Sequence, residues 1–201
     1  MNDAWRQAAN EYHDVAQRLW QQGLLAGSGG NLSLRVAGTS QIAVKPRGIP
    51  NIDCRPETLL AVDVRTGDVI GGRQPSMDLG LHLGIYRACP DVQGIVHAHG
   101  PWSTALSLLG YEELPLHSPH AKSRLRRVPV IAGASSASRE LASAVSENFQ
   151  PTDVVAGLLG GRGLVTAGES LRMAGHLAEL VEEAAQVALL VHLGRGGPAG
   201  R

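Results

Sequence analysis

The chain has 201 residues, 43% of them hydrophobic but only 3% aromatic, so an aliphatic core of Leu, Val, Ile and Ala fills a single domain. Its 18 basic and 18 acidic residues cancel, which excludes a protein that works by presenting a basic field to nucleic acid. No run approaches the roughly 20 apolar residues of a membrane span, residues 1–18 are too polar for a secretory signal, and Cys54 and Cys89 form no CxxC pair. The expectation is a reduced cytoplasmic protein with neither nucleic-acid nor membrane partner.

Apolar residues from Trp5 to Trp20 recur at helical spacing, with Asn2 or Asp3 as N-cap and Gly23 as the stop. A glycine loop, Gly27-Ser28-Gly29-Gly30, precedes an alternating strand over 32–36, and 41–44 reads as its partner, ending at Pro46-Arg47-Gly48. Segments 59–64 and 68–70 flank a Thr66-Gly67 turn as a hairpin. Residues 78–89 suit a helix that Pro90 ends. A β-branched strand follows over 92–97, then a short helix opened by Pro101. The segment 114–127 reads as a loop, 128–131 as a strand, 138–148 as a helix and 154–158 as a strand. Gly160 to Gly163 form a second glycine-rich turn before a long helix over 169–193. The domain is therefore expected to occupy 1–193, with 194–201 a flexible tail.

The strongest chemical signal is His97-Ala98-His99 at a strand end. Residues two apart on a strand project to one side, about 6.5 Å apart, and two imidazoles so placed can close on one metal ion. A single buried histidine beside a solvated one would give the same letters. Asp78 and His82 are spaced i, i+4 and share a helix face. Asp78 can serve as an acid/base or a metal ligand, or can merely complement the helix dipole. The loop 27–31 can turn its amides onto an oxyanion, as an ordinary helix-to-strand turn also could.

Taken in order, five segments resemble the class II aldolase/adducin family. They are Gly29-Gly30-Asn31-Leu32-Ser33-Leu34-Arg35, Lys45-Pro46-Arg47-Gly48-Ile49-Pro50, Pro75-Ser76 through His82, Val96-His97-Ala98-His99, and Gly163-Leu164-Val165-Thr166-Ala167-Gly168. The resemblance spans 5–193. It implies a three-layer α/β/α sandwich with a central, mainly antiparallel sheet, a homotetramer, and a lyase acting on a small oxygenated substrate. It also implies a divalent ion, commonly zinc, held by His97 and His99 and stabilising an enolate. Asp78 takes the acid/base position, and Ser28, Gly30, Asn31, Gly48 and Ser76 become substrate contacts.

The departures from the family pattern fall on the chemistry. Arg162 stands where members carry the third ligating histidine, Asp78 where they carry a glutamate, and Met77 and Arg47 where they carry hydroxyl residues. The tyrosine that aldolase members place between 115 and 128 is missing, with His117 and His120 as the nearest substitutes. A guanidinium and a dication 4 Å apart at an effective dielectric of 20 repel by about 8 kcal/mol. Three outcomes follow. Arg162 turns away and the metal stays, with Asp78, His117 or His120 completing its coordination, or it turns inward as a metal-free oxyanion stabiliser, or the domain is an inert, adducin-like scaffold. Arg47 and Arg162 together suit a substrate carboxylate, and the missing hydroxyl residues weaken the case for a sugar phosphate.

Overall fold

A computed structural model describes residues 2–131, 139–150 and 154–196. Helix α1 (Asp3–Gln21) starts at Asn2, whose side chain accepts the Trp5 amide hydrogen, and it buries Ala8, Ala9, Tyr12, Val15, Ala16 and Leu19. Strands β1 (Asn31–Arg35), β2 (Gln41–Val44), β3 (Leu60–Asp63) and β4 (Val69–Ile70) form an antiparallel meander. Helix α2 (Leu79–Ala88) leads to β5 (Gly94–Ala98), and α3 (Pro101–Ser107) and α4 (Pro119–Leu125) lead to β6 (Val130–Ile131). Helix α5 (Arg139–Phe149), strands β7 (Ala156–Leu159) and β8 (Gly163–Gly168), and α6 (Leu171–Gly196) complete the order.

The eight strands make one sheet, β4-β3-β2-β1-β5-β8-β7-β6. Among the described residues only β6 and β7 pair in parallel. Alternation along each strand divides the apolar side chains into two cores. Leu32, Leu34, Ala43, Val96, Leu158 and Leu164 pack with α1, α3, α4 and α6. Ile42, Val44, Ile95, Leu159, Val165 and Ala167 pack with α2 and α5 on the other face. The three-layer α/β/α sandwich and its mainly antiparallel sheet are therefore as expected.

One segment departs from the sequence reading. Within the expected loop 114–127, Ser118 accepts the Ala121 amide hydrogen and Pro119 occupies the first turn, so α4 forms with Ala121 and Leu125 buried. It ends at Arg126, the one non-glycine residue with positive φ (55°) among those described. Several boundaries move less. β7 starts at Ala156, because Val154 forms an isolated bridge with Arg126. The last helix runs to Gly196, past the expected boundary at 193, and the rest of the expected tail, 197–201, lies outside the described residues. No described helix is long and apolar enough to cross a membrane.

Candidate active site

β5 is the axis of the site because it lies between β1 and β8. In that register His97 opposes Asn31 on β1 and Val165 on β8. His97 therefore points to the same face as Ile95, toward α2, and is fully buried. Its Nδ1–H donates to the Leu164 carbonyl at 2.9 Å, which leaves Nε2 as a bare lone pair. His99, more exposed, brings its Nε2 to 3.1 Å from that lone pair. Since His97 Nε2 can only accept, His99 Nε2–H donates. The two rings thus face each other edge to face, centroids 4.8 Å apart.

Two glycines allow this approach. Gly30 has φ +65°, and a Cβ there would stand 2.8 Å from the His97 carbonyl oxygen. Gly163, at φ +82°, passes so close to β5 that a Cβ would stand 2.1 Å from the Ala98 carbonyl oxygen and 2.8 Å from His99 Cα.

Asp78 stands at the N-terminus of α2 but makes no side-chain cap bond there. Its Oδ1 accepts from Arg162 Nη2 at 2.8 Å, its Oδ2 accepts from Asn31 Nδ2 at 3.0 Å, and His97 Nε2 lies 3.8 Å from Oδ2. Burial alone would raise the Asp78 pKa; His97, Arg162 and Asn31 outweigh it, so the group lies below the usual carboxylate range. Arg162 reaches it from the turn between β7 and β8, where its backbone N–H donates to the Leu159 carbonyl at 2.8 Å. Arg162 Nη1 is buried and has no partner among the described residues.

Behind Asp78 runs a directed chain of hydrogen bonds. Asn31 gives its NH2 to the carboxylate, so its Oδ1 accepts from His82 Nε2–H at 2.5 Å. His82 Nδ1 then accepts from Ser33 Oγ at 2.6 Å, and Ser33 accepts from the Tyr86 hydroxyl at 3.0 Å. Burial pulls the His82 pKa down to about 3 and that of His97 to about 4. Both rings are neutral at ordinary pH. Burial also lowers the pKa of His99, helped by Arg162 and Lys45 and opposed by Asp78.

Lys45, one of two lysines in the chain and 2% exposed, ties the loops around this cluster. Its Nζ donates to the Ser28 carbonyl at 2.5 Å and the Ile49 carbonyl at 3.0 Å. Asn51, itself bonded to the Tyr12 hydroxyl, donates to the carbonyls of Gly29 and Gly30. A pocket of about 440 Å³ opens beside the cluster, lined by His99, Pro101, Thr104, Ala105, Gly161 and Arg162.

A family model for the "Class II Aldolase and Adducin N-terminal domain" matches residues 10–189. The chain belongs to this family. The 5-deoxy-D-ribulose 1-phosphate aldolase of Bacillus thuringiensis serovar kurstaki is 31% identical over 175 residues, 85% of this chain and 79% of that protein. The 3-oxo-tetronate 4-phosphate decarboxylase of Escherichia coli K12 is 32% identical over 183 residues, 88% and 84% of the two chains. The crystal structure of L-fuculose-1-phosphate aldolase from Thermus thermophilus superposes with a TM-score of 0.85 at 28% identity, covering 97% of this chain and 99% of that one. Aldolases and decarboxylases of this family are lyases, and the chain is a lyase of that kind.

Family members commonly use a divalent metal, and the residues present here do not fit one. Two imidazoles converge, but the carboxylate beside them is already bonded to the Arg162 guanidinium. Among the described residues, no group of three or more His, Cys, Asp or Glu is placed to hold an ion.

The other expected site residues divide. Asp78, His97, His99 and Arg162 meet as one cluster, and Asn31 joins it, but with both ends of its side-chain amide bonded inside the protein. Ser28 and Gly30 lie in the loop held by Lys45 and Asn51. The Ser76 amide donates to the Lys45 carbonyl, the Arg47 amide donates to the Gln74 carbonyl with its side chain exposed, and Gly48 turns at φ +79°. His117 and His120 are exposed and bond to none of the four. The sequence reading missed Lys45 and Asn51 as loop ties and Ser33 and Tyr86 as members of the chain behind Asp78. Ser33 could have been found: it lies two residues from Asn31, on the same face of β1, among apolar neighbours.

Proposed function

We propose that the chain is a decarboxylating lyase acting on a small phosphorylated 3-oxo acid, with the oxygen that becomes negative facing Arg162. The observation that carries this reading is the commitment of Asp78, the carboxylate of the cluster, to Arg162 and Asn31. An anion clamped by two donors is a poor proton acceptor, whereas retro-aldol cleavage begins by removing a hydroxyl proton. Loss of CO2 from a 3-oxo acid needs no such base. The electrons of the breaking C–C bond flow into the ketone, CO2 departs, and an enolate remains whose oxygen a fixed cation stabilises.

The guanidinium of Arg162, which lines the pocket and whose Nη1 has no partner among the described residues, is the donor for that oxygen. His99, solvent-accessible and lining the same pocket, relays the proton that the carbon takes back. The amides of the loop 27–31, with Ser28 and Gly30, and the neighbouring Gly48, Ser76 and Arg47 serve the substrate's anionic groups. Support for a phosphate comes from the relatives, whose names carry one in each case. A homotetramer belongs to the same reading; Leu108, Leu109, Leu190 and Leu193, exposed toward the ends of α3 and α6, are apolar surface for it to cover.

The test is a panel of a phosphorylated 3-oxo acid, its dephosphorylated form and a ketose 1-phosphate, followed by CO2 release and by carbonyl products. Release of CO2 from the phosphorylated acid is expected, at least tenfold faster than from the unphosphorylated one. Cleavage of the ketose phosphate without CO2 from the acid would replace the proposal with an aldolase, and no CO2 from the phosphorylated acid would overturn it.

A further inference from the structure

We infer that the guanidinium of Arg162 is the resident cation of this pocket and excludes a divalent ion from the His97–His99 pair. An ion shared by two imidazoles needs a lone pair from each, both aimed at one point. His97 presents one, because its Nδ1–H is committed to the Leu164 carbonyl; His99 Nε2 is hydrogen-bonded to it, 3.1 Å from nitrogen to nitrogen, so an ion must first displace that proton, and charge decides whether it can. The charge nearest the pair is set by the same residues. Asp78, whose Oδ2 lies 3.8 Å from His97 Nε2, carries the one negative charge, and Arg162 neutralises it at 2.8 Å. Lys45, buried beneath the loop 27–31, adds a second cation whose field reaches His99. The cluster therefore holds two fixed positive charges against one negative, so an arriving dication meets net repulsion.

Arg162 also cannot swing away at low cost. Its backbone is fixed in the turn by the bond to Leu159, its Nη2 is bonded to Asp78, and its side chain is 20% exposed. A guanidinium so held is already in place when charge develops on a bound oxyanion, the service a Lewis acid would otherwise give.

This inference stands on the pocket's geometry and not on the proposed substrate, so a silent substrate panel leaves it untouched. The test is uptake of Zn2+ alone by the full chain, measured by equilibrium dialysis and elemental analysis, for wild type, Arg162→His, Arg162→Gln and His97→Ala. Arg162→His supplies a third imidazole and removes the charge. It is expected to retain about one ion per chain, bound at least 100-fold more tightly than by wild type, and to lose it when combined with His97→Ala. Should that variant not fold, Arg162→Gln keeps the test alive: a neutral side chain frees Asp78 and is expected to raise affinity at least tenfold. Stoichiometric zinc in the wild type that disappears with His97→Ala would overturn the inference. So would two folded variants that bind zinc no better than wild type.

Discussion

Asp78→Ala is expected to lower the stability of the protein by about 2–4 kcal/mol and to abolish turnover. The change strips Arg162 of the acceptor 2.8 Å from its Nη2 and leaves Asn31 Nδ2 facing an empty place, while both stay largely out of water. Removing one partner of a buried pair costs more than the pair contributes, because the surviving charge is desolvated and uncompensated. In a domain of this size the loss corresponds to a melting temperature lower by roughly 5–15 °C. Asp78→Asn keeps the volume and one acceptor oxygen, so less than half of the destabilisation is expected. Its turnover should still fall by roughly 100-fold or more, because a neutral amide no longer fixes the guanidinium. Thermal melts beside steady-state rates separate the two effects. An Asp78→Ala protein that melts with wild type would show that the Asp78–Arg162 bond carries no weight in the fold.

The second large effect is acid instability arising from His82 and His97. Both are fully buried and neutral, with pKa values pulled down to about 3 and about 4, whereas an unfolded histidine titrates near 6.5. Below pH 6.5 the unfolded chain takes up protons that the folded chain refuses, so stability is complete above that pH and falls as pH drops toward the folded values. At pH 5 each ring is 1.5 units below its unfolded pKa and still neutral when folded, which is about 2 kcal/mol apiece. Together they remove about 4 kcal/mol, a large part of the stability of an ordinary domain. Asp78 acts lower still. Its folded pKa is depressed, so its contribution is present above the unfolded carboxylate value and is lost only as pH falls through the folded one. Urea midpoints at pH 7.5, 6 and 5 are expected to decline steadily, and His82→Gln should roughly halve the slope. A midpoint that is flat from pH 7.5 to 5 would contradict the buried, neutral state of both rings.

Much of this architecture is legible in the amino-acid order because each element carries a local signal. The apolar stripe of α1, the alternation in β1, and the β-branched run ending in His97 all name their structures without tertiary help. The helix α4 carried its own signal too, Ser118 followed by Pro119, but it is hidden in a segment whose charged residues read as a solvated loop. At the site, the histidine pair, Asp78 and Arg162 can be found because each is an unusual residue at a strand or helix end. The direction of their contacts cannot. Whether Arg162 faces inward depends on the turn joining β7 and β8, and whether Asp78 caps its helix or bonds across to β1 depends on the sheet order. The chain from Tyr86 through Ser33 and His82 to Asn31 joins α2 to β1 across about 50 positions of sequence, and no local pattern encodes it. Lys45 and Asn51 are a similar case: their worth lies in loop carbonyls that only the folded backbone brings within reach.

Arg162 is where fold, charge and chemistry meet, and one rate constant reads it. The measurement is kcat of Arg162→Ala on whichever phosphorylated substrate wild type turns over fastest, with circular dichroism to show that the sheet and helices are intact. A fall of about 100-fold to 1,000-fold in kcat, with a smaller change in KM, is the expected result for a donor that meets the substrate only as charge develops. An intact variant whose kcat equals that of wild type would place the reacting oxygen somewhere else.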